Sequence, residues 1–309
     1  MNPTVSVNLC CYNSEKYLEE TLQSVFTQTF KDWELVIVND GSIDTTDQII
    51  QKHIAAGRRI VYHPQPNAGL APSRNQALRL SSGKYIVFLD HDDVLLERAL
   101  ETQVSHLEAS GCAMAYGGLI YIDEKGRELR RRIPKARCGD LLAAQLRQFE
   151  INVPAVMIRR TALVESELVF DPVLHMAEDY CLFMQLAAGY STEALPQALA
   201  RYRVHPNALT KKTIARWGVE VDYTLDLLIS RNPRLLVKYK KAFREARARA
   251  AYYRARNHVV KRERLGAIQA IAPYLLCDFR YPFLFLLLLL PLRLWDKVHE
   301  WYTGRSFRG

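Results

Sequence analysis

The chain has 309 residues, 49% hydrophobic and 24% charged, which supplies a packed core for one large or two ordinary domains and excludes general disorder. Its net charge of +9 is unevenly placed: residues 1–210 hold 21 Lys/Arg against 25 Asp/Glu, and residues 211–309 hold 21 against 8. An acidic-leaning body therefore carries a strongly basic C-terminal extension.

Four short apolar runs lie in the first 90 residues: VSVNLC at 5–10, WELVIVN at 33–39, RIVYH at 59–63 and KYIVFLD at 84–90. Each is rich in β-branched or aromatic residues and ends at a polar turn, which predicts strands buried on both faces. Helical patterns separate them. Leu18, Leu22, Val25 and Phe26 recur at helical spacing behind a Ser14 cap. Residues 46–56 and 70–80 repeat the theme. This alternation predicts an α/β fold with a mostly parallel, doubly wound sheet flanked by helices. Further along, 113–123 reads as strand or hairpin turning at Asp123–Gly126, 130–137 (RRRIPKAR) as a basic loop, and 140–149 as a short helix. Residues 152–160 return as a strand. Residues 177–189 form a helix with an acidic first turn and a Gly stop, and 198–205 a last strand. Beyond 213 the pattern is almost wholly helical and basic to about residue 270.

The opening MNPTVSVNLCCYN has no basic stretch followed by a long apolar run, so no secretory signal is expected. The six cysteines form no C-x-x-C pair. They read as reduced, mostly buried thiols of a cytoplasmic protein, and their spacing offers no structural zinc site.

Ligands of doubly wound sheets bind beyond the carboxyl ends of the strands, which directs attention to residues 11–15, 40–44 and 90–93. Asp90-His91-Asp92-Asp93 is the sharpest signal. Acids at i and i+2 on a strand-to-turn junction can converge on one divalent cation, and Mg²⁺ and Mn²⁺ favour such oxygens together with phosphate oxygens. An N-cap for a helix starting near Val94 would account for one acid, not three. Asp40, followed by Gly41, can accept from a nucleobase N–H or a ribose hydroxyl, or form an ordinary Asx turn. Tyr12 can stack on a base and Glu15 can meet a ribose or base edge; the plainer alternative is a turn capped by Asn13 or Ser14. Arg74 suits a diphosphate or a solvated surface. Glu178 and Asp179 stand at a helix start, where the dipole keeps a carboxylate ionised and available as a general base for a hydroxyl. Acids there are also ordinary helix chemistry. His205 ends a strand, where it can coordinate a metal or a phosphate, or simply pack.

The order of these pieces is more specific than any one of them. CYNSEKYLEETLQSVFTQTFKDWELVIVNDGSID, NAGLAPSRNQAL, GKYIVFLDHDD, NVPAVMIRR, MAEDYCLFMQLA and RYRVH, over about residues 4–207, resemble the successive motifs of the family 2 glycosyltransferases. The resemblance implies a GT-A fold over residues 1–210, with a nucleotide-binding part at about 1–110 and an acceptor-binding part at about 111–210. It implies that Tyr12, Asn13, Glu15, Asp40, Arg74 and Asp90 hold the donor nucleotide. Asp90 and Asp92 match the metal-binding Asp-x-Asp for Mn²⁺ or Mg²⁺, with His205 as a further metal or diphosphate contact, and Asp179 matches the catalytic base. His91, Asp93 and Glu178 are candidates for contacts to the donor sugar or acceptor. Cys11 stands where Pro is frequent in the family, and His91 where a small residue is frequent. The implied reaction is inverting, metal-dependent transfer from a nucleotide sugar, UDP-linked by default, to a hydroxyl of a glycan or lipid-linked acceptor in cell-surface polysaccharide or glycolipid synthesis. A sugar nucleotidyltransferase would be expected to carry a Gly-rich phosphate loop where this chain reads CCYNSEKY. A glycoside hydrolase would need two opposed carboxylates, and a non-catalytic membrane scaffold would not need the intact acidic motifs.

The basic extension, 211–309, contains YPFLFLLLLLPL at 281–292, closed by Arg293, Trp295 and Lys297. Twelve apolar residues make a helix of about 18 Å, too short for a hydrocarbon core of about 30 Å. The segment suits a membrane interface, and the alternative is a buried helix. Residues 216–264 hold 14 Lys/Arg and 5 Asp/Glu. No recognition motif points to nucleic acid, so attraction to an anionic lipid surface is expected, with the protein peripheral on the inner face of the membrane.

Overall fold

The computed structural model describes residues 2–205 and 214–277 and a few isolated positions after them. Most of the apolar segment at 281–292 therefore lies outside the described residues. The chain divides into two compact units, one of residues 1–145 with 149–205, the other of 146–148 with the described residues after 206.

The first unit is built on a mixed ten-stranded sheet. Its first four elements of the path are parallel: β3 (Ile60–Gln65), β2 (Trp33–Asp40), β1 (Val5–Cys11) and β4 (Tyr85–Asp90). Crossovers run through α1 (Leu18–Phe26), α2 (Thr46–Ala55) and α3 (Leu70–Leu80). β1, β2 and β4 are buried along nearly their whole length, as expected of strands covered by helices on both faces. β3 is different. It is the edge strand and alternates between part-buried and exposed, so the expectation of burial on both faces fails there. Pro64, which donates no ladder hydrogen bond, is tolerated at an edge.

Helix α1 also starts differently from expectation. Ser14 does not cap it with its side chain; its Oγ accepts from the Tyr12 N–H at 3.0 Å, and its carbonyl takes the N–H groups of Tyr17 and Leu18. The turn is tighter than the spacing suggested, and the helix begins at Leu18. No helix starts near Val94 either. Val94–Leu95 form a short strand, β5, and α4 begins at Ala99 and runs to Ser110.

Beyond α4 the sheet continues with β6 (Met114–Ile122), β7 (Glu128–Arg132), β8 (Arg137–Gly139), β9 (Val156–Arg159) and β10 (Thr192–Arg203). The predicted basic loop at 130–137 is a loop only over 133–136; its ends are strand, because β7 pairs antiparallel with β6 and β8 with β10. β10 starts six residues earlier than the apolar pattern indicated and is interrupted by register shifts between Ala194 and Ala200. α7 (Glu178–Gly189) lies where the helix at 177–189 is expected, and two short helices, α5 (Leu142–Arg147) and α6 (Arg160–Glu165), stand between the strands.

One detail of pairing shapes the site. β9 bridges Tyr85–Val87 of β4 to Met114–Tyr116 of β6. Past that point β6 pairs through Leu119–Ile122 with β7 instead. No common strand bridges the carboxyl halves of β4 and β6, so the sheet splits there into two limbs. Gly118 makes the change of partner possible, since a Cβ at that position would lie 2.5 Å from the Arg132 carbonyl oxygen.

Helices dominate the second unit: α8 (Trp217–Arg231), α9 (Arg234–Lys238), α10 (Lys240–Val260) and α11 (Arg264–Ile271). α10 buries an alanine-rich stripe that includes Ala242, Ala246 and Ala250. Close packing against α8 follows, with the Ala250 carbonyl 2.5 Å from where a Cβ on Gly218 would stand. No helix among the described residues is long and apolar enough to cross a membrane. All six cysteines are free, and four of them are buried.

Candidate active site

The parallel register sets the carboxyl ends of β1, β2 and β4 side by side, with Cys10 opposite Asp90 and Cys11 opposite Asn39. Three loops leave from that edge and knit together. Asn13 takes a left-handed conformation with φ of 50°, which asparagine tolerates better than most residues. Its Oδ1 accepts the Ile43 N–H at 3.0 Å, and its own N–H donates to Ser42 Oγ at 3.0 Å. Glu15 Oε2 accepts from the Thr45 N–H and hydroxyl at 3.1 and 2.7 Å, while the Glu15 N–H donates to Asp44 Oδ2 at 3.1 Å. Glu15 and Asn13 therefore fix the first loop to the second. Tyr12 projects from the same edge, 49% exposed.

Asp40 holds the third loop. Its Oδ1 accepts from Gln65 Nε2 and the Ala68 N–H, both at 2.8 Å, and its Oδ2 accepts from the Gly69 N–H at 2.9 Å. The carboxylate thus sits against the start of α3, where free N–H groups favour negative charge. Gly41 must be glycine on two counts: φ is +75°, and a Cβ would lie 2.8 Å from the Asn67 nitrogen.

Arg74 is the centre of the arrangement. It extends from α3 and is 3% exposed. Nη2 donates to Asp90 Oδ1 at 2.7 Å and Nη1 to Glu178 Oε1 at 2.8 Å. Burial would favour a neutral guanidine, but Asp90, Glu178 and Asp179 hold it protonated, well above the ordinary arginine value. One guanidinium fork thus joins the acidic end of β4 to the acidic first turn of α7. Asp179, beside Glu178, is part-buried, and its Oδ1 accepts the Tyr180 N–H at 2.6 Å. Burial first, then the charge of Glu178 and Asp90, push its carboxyl up to about 7, against the pull of Arg74. A carboxylate that titrates near neutrality is matched to general-base work.

On the other side of Asp90, Asp92 Oδ2 meets His205 Nε2 at 2.8 Å. Burial alone would raise the Asp92 carboxyl; the His205 hydrogen bond and the nearby His91 bring it below the usual carboxylate range. Asp93 turns inward. It is 1% exposed and accepts the Arg203 N–H at 2.9 Å, and burial together with Asp92 and Asp90 holds its carboxyl well above the ordinary value. His91 contributes its carbonyl to Thr21 Oγ1 at 2.9 Å.

Sequence reasoning missed Arg203, which is 2% exposed. Its Nε donates to the Asp92 carbonyl at 3.0 Å, its Nη1 to the carbonyls of Asp123 and Glu124 at 3.3 and 3.4 Å, and its Nη2 to Glu20 Oε2 at 2.5 Å. Its guanidinium also lies 4.6 Å from the centre of the Tyr17 ring. The only signal in the sequence was an arginine among the apolar residues of the last strand.

The carboxylates of Asp90 and Asp92 are oxygen donors of the kind a magnesium-type or manganese-type ion takes. Asp92 Oδ2 and His205 Nε2 lie 2.8 Å apart, and Asp90, two residues from Asp92 in the chain, has its Oδ1 engaged by Arg74. Among the described residues no three acidic, imidazole or thiol groups converge on one point. The protein would therefore contribute a partial shell, as is usual where phosphate oxygens complete it.

Known proteins resemble this chain in sequence and in fold. The profile of glycosyl transferase family 2 matches residues 6–165. A putative teichuronic acid biosynthesis glycosyltransferase, TuaG, of Bacillus subtilis is 31% identical over 212 residues, covering 67% of this chain and 82% of that protein. An uncharacterised glycosyltransferase of Rickettsia bellii is 29% identical over 206 residues, where the match spans 67% of this chain and only 29% of the longer relative. Among solved structures, S. aureus TarS 1–349 in complex with UDP-GlcNAc superposes with a TM-score of 0.59 at 18% identity, covering 87% of this chain and 89% of that one. The mannosyltransferase PcManGT from Pyrobaculum calidifontis, in complex with GDP-Man and Mn²⁺, gives 0.59 at 18% identity over 93% and 84%. These structural likenesses bear on the fold, which is the GT-A fold expected from the motifs. The profile match over more than half of the chain, with the Bacillus relative covered over most of its length, places this protein in the family 2 glycosyltransferases.

Proposed function

We propose that this protein transfers a sugar, with inversion, from a nucleotide-sugar donor to a hydroxyl of a glycan or lipid-linked acceptor. The observation that carries the reading is the Arg74 fork, 2.7 Å from Asp90 and 2.8 Å from Glu178. It joins the two acidic motifs, 88 residues apart in the chain, at the carboxyl end of β4.

Asp179 accepts the proton of the acceptor hydroxyl as its oxygen attacks the anomeric carbon, and the bond to the diphosphate breaks on the opposite face. A carboxyl with a value of about 7 is a stronger base than an ordinary carboxylate and is still partly ionised at neutral pH, so it can take that proton as the new glycosidic bond forms. Asp90, Asp92 and His205 would hold a Mn²⁺ or Mg²⁺ ion, which supplies charge stabilisation to the departing diphosphate. Arg74 keeps Asp90 and Glu178 in place, and Arg203 fixes the backbone of the Asp90–Asp93 turn. Tyr12, Asn13, Glu15 and Asp40 form the nucleoside end, with Tyr12 exposed for stacking and the others holding the three loops in register. His91, Asp93 and Glu178 shape the pocket around the transferred sugar, Asp93 from behind.

A UDP-sugar is the favoured donor on the motif resemblance; TarS holds UDP-GlcNAc and the equally similar PcManGT holds GDP-Man, so the screen below includes both nucleotides. A place in cell-surface polysaccharide synthesis is supported by the Bacillus relative, named for teichuronic acid. The basic extension suits attachment to an anionic membrane face. The test is a thermal-shift screen of UDP-, GDP- and dTDP-sugars with and without Mn²⁺, followed by turnover on the donor that binds. A ligand of the folded state must raise its stability. Absence of a metal-dependent shift with every nucleotide sugar would refute the reading.

A further inference from the structure

We propose that the β6–β7 hairpin is an acceptor-docking surface, and that the acceptor it fits is a polyanionic chain bearing carboxylate or phosphate groups. The proposal deepens the glycosyl-transfer reading above and rests on it. Residues 123–137 carry seven Lys/Arg and three Asp/Glu, although residues 1–210 as a whole are net acidic. Not all of these cations are neutralised within the fold. Arg127 pairs with Asp123 at 2.7 Å, Arg131 with Glu128 at 2.7 Å, and Arg137 with Glu150. Arg132 donates to the Phe149 carbonyl at 2.6 Å. Lys125, Arg130 and Lys135 are exposed and form no ion pair among the described residues.

Position gives this charge its meaning. The hairpin leaves β6 at the same carboxyl edge that carries Asp90, on the second limb of the split sheet. Its root is tied to the site at three points. Arg203 spans from the Asp92 carbonyl to the carbonyls of Asp123 and Glu124. Lys16 pairs with Glu124 at 2.6 Å, and Tyr17, whose ring is 5.4 Å from that of His205, reaches Glu124 at 3.4 Å. The Arg130 guanidinium lies over the Tyr121 ring, 3.9 Å from its centre, and Tyr121 in turn meets Tyr202 at 5.5 Å. A cation over an aromatic ring beside further free cations suits an acidic sugar or a phosphorylated chain. Leu129 and Ile133 are also exposed, but the acids Glu124 and Glu128 interrupt the patch and disfavour a flat anionic bilayer.

The test compares the full-length protein with two triple variants of equal charge loss. One is Lys125→Gln/Arg130→Gln/Lys135→Gln, in the hairpin and the segment that follows β7; the other is Lys240→Gln/Lys241→Gln/Lys261→Gln in the basic extension. Calorimetry reads the binding of oligogalacturonate, inorganic polyphosphate and a neutral malto-oligosaccharide of matched length, each at low and high salt. One or both anionic chains are expected to bind more tightly than the neutral one and to weaken with salt. The hairpin variant is expected to lose at least about tenfold in that affinity and the extension variant less than about twofold, with UDP affinity in Mn²⁺ unchanged in both. Equal losses in the two variants, or no preference over the neutral chain, would overturn the proposal. So would a hairpin variant that loses binding to phosphatidylglycerol vesicles but keeps the anionic chains. If UDP bound to no form of the protein, the donor reading would fail, and the hairpin comparison would still stand as a separate result.

Discussion

Replacing Asp179 by Asn removes an ionisable oxygen while keeping size and the ability to accept the Tyr180 N–H. The consequence for stability follows from the direction of its shift, from 3.8 up to about 7. Well below pH 3.8 the carboxyl is protonated in both the folded and the unfolded chain, and it contributes no difference. As pH rises from there to about 7 the unfolded chain ionises while the folded one retains its proton, so folded stability falls. At about 1.4 kcal/mol per unit, the penalty above pH 7 reaches at most about 4 kcal/mol. Even a third of that would move the midpoint of a unit this size by about 3–6 °C. Asp179→Asn is therefore expected to be more stable than the parent at pH 8, with only about a quarter of that advantage left at pH 4.5, measured by calorimetry without donor. Nucleotide affinity should persist, while transfer falls by about 10²–10⁴-fold. A stability difference independent of pH would show that the carboxyl is not held up by its surroundings. Near-normal transfer would show that it is not the base.

Arg74→Met leaves Asp90 and Glu178 facing each other without their cation, so urea unfolding should shift by about 3–5 kcal/mol; an unchanged midpoint would refute the role given to the fork. Arg74→Lys should rescue little, because a single ammonium cannot reproduce two divergent hydrogen bonds. Asp92→Ala is expected to weaken nucleotide binding in Mn²⁺ but not in its absence, and equal calorimetric affinities under both conditions would count against a metal role. Deleting residues 273–309 should move the protein from the membrane to the soluble fraction on fractionation of cells; an unchanged membrane fraction would contradict the interfacial reading.

Much of the fold was legible because its signals are local. Four runs of β-branched and aromatic residues, each closed by a polar turn, announced β1 to β4, and the helical spacings between them set the crossovers. The rule that ligands gather at the carboxyl ends of parallel strands then selected Glu15, Asp40 and Asp90 without any coordinates. What failed was also instructive. β3 resembled its neighbours in composition, but its edge position is a property of the sheet, and β7 could not be distinguished from a loop because its arginines face solvent. Ser14 looked like a cap, yet its hydroxyl was taken by the Tyr12 N–H.

The sequence by itself determined the alternating architecture, the family and the identities of the acidic residues, since periodicity and motif order are written along the chain. Only the tertiary structure decided what those residues do to one another. Arg74 reaches partners 16 and 104 residues away, and Arg203 reaches Glu20 across 183. Such contacts depend on which strands lie side by side. The proton affinity of Asp179 has the same origin, because burial and neighbouring charge act through space, and no local pattern encodes them.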